Sequence, residues 1–331
     1  MEMECPACGQ ELAAGELACP LCHALLHGAE LQALAGEAQS LEAKGDFARA
    51  HELWSRSLAM LPPGSKQAEW VRGKIHQLEL AKATASEPQA APDHAWARRL
   101  GPLAPVAVLL VKSKGLLLAA FKLKFLFSFL SFFAIYAGLF GWRYGLGIAV
   151  SLLIHELGHY ADIRRRGLPA EMPVFLPGLG AYVRWNALGV TRRQMAQVSL
   201  AGPLAGWIAA AGCVVLYART QDPLWAALAR TGAMINVLNL IPVWVLDGGK
   251  AVDALGLVER MGLLAVALAL WSYTGQGVFF LVAAGVLFRV FTKDKPKRDD
   301  WGTWLYFSAV MIALGMVLHA VPELTQLPAR R

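Results

Sequence analysis

Charge is scarce in this chain. Of 331 residues only 17% are Asp, Glu, Lys or Arg, whereas 56% are hydrophobic. That balance is too apolar for one soluble domain. A cleavable leader is also missing: MEMECPACGQELAAGE opens acidic, with neither a basic n-region nor an apolar h-region. The N-terminus is therefore expected to stay in the cytoplasm. Cysteine is sparse beyond the first 22 residues, which hold four of the five. In a reducing compartment such a cluster reads as metal ligands rather than disulfides. The fifth, Cys213, sits in an apolar run and reads as a small buried side chain. The net charge of +7 is no nucleic-acid footprint. Its Lys and Arg gather at the ends of apolar runs, where cytoplasmic loops carry them.

The apolar residues that are present are unevenly placed. Residues 1–100 are ordinary and polar, and the long apolar runs fall in 101–322. This predicts a mainly α fold: a multi-pass membrane helix bundle with a short strand or hairpin insertion, preceded by a small soluble head. The expected organisation is a zinc ribbon at 1–28, a TPR-like helical hairpin at 29–82 and a linker at 83–100. A membrane-embedded domain follows at 101–322, then a tail at 323–331.

Within the head, Cys5, Cys8, Cys19 and Cys22 form two Cys-x-x-Cys turns. Two such turns grip one zinc from both sides and close its coordination, so this metal would be structural. A redox dithiol is the competing reading for either pair alone. Ala38, Leu41, Gly45, Phe47, Ala50, Trp54, Leu58 and Pro62 fall at offsets that resemble a tetratricopeptide repeat, with Gly45 at the corner. A single repeat is also readable as a plain hairpin. Such a head suits docking of a cytoplasmic protein partner.

The membrane region begins with 105–125, whose Lys112, Lys114, Lys122 and Lys124 suit an amphipathic segment on the lipid surface. Spans are expected at 125–142, 143–163, 197–218, 224–246 and 302–320, with two shorter apolar runs at 257–272 and 276–292. Arg164, Arg165 and Arg166, and later Lys293, Lys295, Lys297 and Arg298, mark cytoplasmic loops. The number of spans stays open, but a multi-pass protein of the cell inner membrane, in contact with lipid, is expected. Pro173, Pro177, Gly178 and Gly180 break the helical pattern of 170–195, while VFL and AYVRW favour extended chain. Such backbone survives at membrane depth only under protein cover or beside a watery cavity.

Residues 143–163, RYGLGIAVSLLIHELGHYADI, contain H-E-x-x-H inside an apolar run. At about 3.6 residues per turn His155 and His159 share one helix face, where both imidazoles can reach one tetrahedral zinc. Glu156 stands beside them as a proton acceptor. Ionisable groups kept in such a segment are functional by default. A catalytic zinc needs a third protein ligand, and INVLNLIPVWVLDGGK offers Asp247, followed by Gly248 and Gly249. The competing reading has Asp247 capping the next helix. Asn236 and Asn239 in the same stretch are candidates for anchoring a broken helix or for donating to an oxyanion.

HELGH in one membrane helix and NLIPVWVLDGG in a later one together resemble the site-2 protease family of intramembrane zinc metalloproteases, over about residues 100–292. The resemblance implies His155, His159 and Asp247 as zinc ligands, Glu156 as general base and acid, and strand character soon after the HELGH helix. It also implies a substrate that is a transmembrane segment of another protein, unwound for cleavage. One departure is Gly206 in AGPLAG, where the family often carries Asn. Two other classes of function compete: a membrane zinc carrier or sensor, and an inert scaffold acting through its head. The first has no need of Glu156.

Overall fold

The computed structural model describes residues 3–6, 9–20, 24–86 and 114–322, apart from 169, 179, 186, 187, 244, 293, 294, 297 and 298. For 66, 83–86 and 114–122 it describes the backbone alone. Cys8, Cys22, the linker from 87 on, Lys112, Lys293, Lys297, Arg298 and the tail lie outside the described residues. The chain divides into two compact units, Met1–Gln32 with Phe132–Arg331, and Ala33–Ser131.

The described residues are mainly helical. In chain order they form β1 (Met3–Glu4), β2 (Glu11–Leu12), α1 (Gly28–Lys44), α2 (Phe47–Ala59), α3 (Lys66–Ser86), α4 (Lys114–Phe140), α5 (Trp142–Arg165), β3 (Val174–Leu176) and β4 (Gly180–Tyr182). There follow α6 (Arg192–Thr220), α7 (Pro223–Asn239), α8 (Asp247–Val252), α9 (Leu257–Thr274), α10 (Gly277–Val290) and α11 (Trp301–Ala320).

In the unit Ala33–Ser131 the turn from α1 to α2 is made by Gly45, at φ +82°, a left-handed conformation that any Cβ would strain. Asp46 then caps α2, its carboxylate accepting from the Arg49 amide. Trp54, fully buried, meets Trp70 of α3 edge-on at 5.3 Å. Its indole donates to Glu42 at 2.6 Å, and Lys74 pairs with the other Glu42 oxygen at 2.9 Å.

In the other unit β1 and β2 pair antiparallel, and Cys5, Leu12 and Cys19 are buried against one another. The Gln32 amide of α1 donates to the Gly189 carbonyl and to Gln194 on α6. The main core is built by α6 to α11, from small and branched residues such as Ala196, Ala233, Val237, Leu263, Val282 and Leu314. β3 and β4 form a two-stranded antiparallel hairpin with Phe175 opposite Ala181. Its base is held by Ile163, Leu168 and Val198, with Trp185 packed against them.

Among the described residues four helices are long and apolar enough to cross a membrane: Leu123–Phe140 of α4, α6, α9 and α11. They present large bare apolar side chains outward, among them Phe127, Leu139, Ile208, Trp271 and Leu305. On composition and length this is a membrane protein.

Several points differ from the sequence-based expectation: among the described residues α5, expected as a span, is not one of these four helices, while α9, expected as a shorter apolar run, is. α4 runs unbroken from Lys114, so the described part of the amphipathic segment, from 114 on, is one helix with the first span; no proline interrupts it. The span expected at 224–246 stops at Asn239. Pro242 has no N–H and biases the residue before it away from helical geometry. The chain turns there and restarts as the short α8.

Candidate metal centre

α5 carries His155 and Glu156, 2% and 4% exposed, together with His159 one turn further on. The break after α7 lets the chain double back, so that α8 starts with Asp247 facing α5. Leu246, not Asp247, is the residue that precedes the helix as its cap. The Asp247 carboxylate is thereby released from capping and turned toward the histidines. Its Oδ2 lies 3.3 Å from His155 Nε2 and 3.2 Å from His159 Nε2, and the two Nε2 atoms are 3.1 Å apart.

Those three edges fit a metal. Ligand atoms about 2.0–2.1 Å from a tetrahedral zinc stand about 3.3 Å from each other. The far sides of both rings support the same conclusion. Asn236 Nδ2 donates to the Gly232 carbonyl at 2.7 Å, which turns Asn236 Oδ1 toward His155 Nδ1, also at 2.7 Å. An amide oxygen only accepts, so His155 Nδ1 carries the proton and Nε2 is left with its lone pair. His159 Nδ1 likewise donates to the Val198 carbonyl at 2.8 Å. Asp247 adds a carboxylate oxygen as the third acceptor atom of the cluster. Three lone-pair atoms this close repel one another unless a proton or a metal cation stands among them. The donor set, two imidazoles and a carboxylate, is one that zinc takes at catalytic sites.

Glycines let the helices approach closely enough for this. A Cβ on Gly202 would strike the His159 ring, one on Gly206 the Asn236 amide, and one on Gly158 the Ala201 carbonyl. A Cβ on Gly248 would strike the Leu240 carbonyl, so the first glycine after Asp247 lets α8 fold back on the end of α7. Gly206 thus makes room for Asn236.

The site opens on a cavity of about 950 Å³ lined by His155, Glu156, His159, Asp247, Asn239 and Lys250 at its polar part. Its apolar part follows Phe132, Tyr136 and Phe140 of α4 to Tyr144 of α5, whose hydroxyl is 2.6 Å from Thr231 Oγ1. From Tyr144 to Ile163 the cavity accompanies α5 for about 28 Å at ~1.5 Å per residue. Gly180, Ala181, Tyr182 and Val183 of the hairpin form part of the wall.

The candidates from sequence therefore separate. His155, His159 and Asp247 come together as a metal-binding cluster, with Glu156 beside them in the cavity wall. Asn239 lines the cavity. Asn236 is 1% exposed, with both amide atoms engaged by His155 and Gly232. Of the cysteines, Cys5 and Cys19 are buried together, and their partners Cys8 and Cys22 lie outside the described residues. Val198, whose carbonyl orients His159, was not legible from sequence, since a backbone acceptor has no residue signature. Lys250 was passed over too, though its place one turn after Asp247 could have flagged it.

Residues 144–223 match the Peptidase family M50. A stretch of 122 residues, 35% of the chain, is 29% identical to a zinc metalloprotease of Methanocaldococcus jannaschii and spans 34% of that protein. The chain thus aligns with about a third of the length of this curated relative. No solved structure matches the chain. The family match includes His155, Glu156 and His159 but ends before Asp247, which the fold alone brings to them. Both likenesses support a zinc metalloprotease of the site-2 protease kind in a membrane protein.

Proposed function

We propose that this protein is an intramembrane zinc metalloprotease that hydrolyses peptide bonds in unwound transmembrane segments of other proteins. The observation that carries the reading is the near-equilateral triangle of His155, His159 and Asp247 donor atoms, with Glu156 beside it in the wall of a long, mostly apolar cavity. Zinc held by these three residues would polarise the scissile carbonyl and acidify the attacking water. Glu156 takes a proton from that water and returns one to the leaving amine. Asn239, in the cavity wall, donates to the developing oxyanion. Asn236 acts behind His155, holding its ring and tautomer.

Hydrolysis needs an extended substrate, because a helix hides its carbonyls in hydrogen bonds. The β4 stretch in the cavity wall offers backbone groups for an extended peptide to pair with. The cavity length of about 28 Å takes some eight extended residues at ~3.3 Å each. A segment rich in Gly, Pro or Asn unwinds most readily and is the preferred substrate. The basic run Arg164–Arg166 supports a cytoplasmic side for the metal end of α5, with the product leaving on that side. In the head, Cys5, Cys8, Cys19 and Cys22 hold a second, structural zinc, and the TPR-like helices offer a surface to a cytoplasmic partner or substrate tail.

The test is cleavage of a fluorogenic peptide containing a Gly- and Pro-interrupted transmembrane segment by protein purified in detergent, read beside bound zinc. Wild type should cleave. Glu156→Gln should keep its zinc and lose at least 100-fold in rate, the lower end of what a general base contributes. Undiminished cleavage by Glu156→Gln would overturn the reading; zinc uptake by both proteins with cleavage by neither would favour a carrier or sensor.

A further inference from the structure

A six-residue helix is far too short to hold itself together in isolation, yet α8 must fix Asp247 to within a few tenths of an ångström. Its start is packed against Leu240 through Gly248. Its far end is gripped by arginines from three other helices. Arg260 of α9 is fully buried. Its Nη2 donates to the Val252 carbonyl at 3.3 Å, and its Nε to the Leu255 carbonyl at 2.9 Å. Its Nη1 reaches the Arg289 carbonyl and, at 2.9 Å, Thr292 Oγ1 at the end of α10. Arg192 of α6 donates to the Asp253 carbonyl at 3.2 Å, and the Arg289 guanidinium of α10 pairs with the Asp253 carboxylate.

We infer that Arg260 is a positioning residue for the metal centre: it ties the last carbonyl of α8, and the Leu255 carbonyl in the turn after it, to the end of α10 and so fixes where Asp247 meets the two histidines. The last carbonyls of any helix lack partners within it. Here one rigid five-donor fork serves the ends of two helices at once, a task for which a lysine point charge has the wrong shape. Asp247 is at one end of α8 and the clamp at the other, so a shift at Val252 is passed along less than two turns of helix to the carboxylate. The inference rests on reading His155, His159 and Asp247 as metal ligands.

The experiment compares Arg260→Lys with Arg230→Lys in full-length protein, by zinc competition against a chelator of known affinity. Arg230 of α7 is a second buried arginine, 9% exposed, which donates to the Leu318 carbonyl of α11 and to Gln276. The zinc equivalent missing from His155→Ala identifies the site being titrated. Arg260→Lys should weaken that site about 10- to 100-fold, the range for residues that orient metal ligands, and alter the visible spectrum of the cobalt-substituted protein. Arg230→Lys should lower thermal stability by a similar amount and leave both readouts at wild-type values. Equal zinc affinity in the two variants would overturn the inference while leaving the metal centre standing. Loss of no zinc in His155→Ala would overturn the metal centre and the inference with it. Should Arg260→Lys fail to fold, Arg192→Met, which removes the bond to the Asp253 carbonyl, should still weaken zinc binding; wild-type affinity there would overturn the inference.

Discussion

Single side chains divide here by what stands behind them. His155 and His159 each spend one nitrogen on an acceptor, Asn236 Oδ1 and the Val198 carbonyl, which leaves the other free to bind. Replacing Asn236 by Ala deprives a buried N–H of its partner, at about 1–3 kcal/mol, and frees the ring to turn. Zinc affinity should fall about 10- to 100-fold, while the rate at saturating zinc changes little, as measured by chelator competition and by cleavage. His155→Ala and Asp247→Ala should each lose one zinc equivalent by elemental analysis; an unchanged count in either would remove the centre of the proposed function. The histidines and Glu156 were legible because an i, i+4 pair shares a helix face whatever lies around it. The role of Asn236 was not, because an amide in an apolar run reads equally as an oxyanion donor and as an anchor for a broken helix. Its bonds to the Gly232 carbonyl and to His155 Nδ1 join it instead to the imidazole.

Between elements, the approach of α6 to α5 and α7 depends on two glycines spaced Gly-x-x-x-Gly. Gly206→Ala drives a methyl group into the Asn236 amide, so the α6–α7 contact must open or Asn236 must turn away from His155. A drop of about 1–3 kcal/mol in stability is expected, accompanied by weaker zinc binding. Gly212→Ala on the same helix has nothing within 4 Å of its added Cβ and should cost nothing in either measurement. Thermal unfolding and zinc titration of the pair separate a close-contact role from a general need for flexibility. Such a spacing permits close helix contact, but the neighbour it admits is a matter of the fold. The helix break after Asn239 was half legible: Pro242 marked a disturbance, but not that the chain would turn there and restart with Asp247 facing α5.

At the scale of the whole molecule, the Met1–Gln32 segment belongs to the same compact unit as the metal centre, and Gln32 meets the loop and helix that follow the hairpin. The centre itself draws nothing from Cys5 or Cys19. Changing Cys5, Cys8, Cys19 and Cys22 together to Ser should therefore remove one of two zinc equivalents and spare cleavage of the peptide substrate; loss of both zincs would tie the head to the centre's assembly. Hydropathy, the HELGH spacing and the glycine and proline punctuation are local properties of the chain. They sufficed for three of the expected spans, in α4, α6 and α11, and for the histidine face and the hairpin, because each depends on residues a few positions apart. The triangle of donor atoms, the ring tautomers and the clamp on α8 join residues dozens of positions apart. Those distances are set by how closely glycines let helices pack and by which carbonyls the turns leave to be claimed, and only the folded chain decides them.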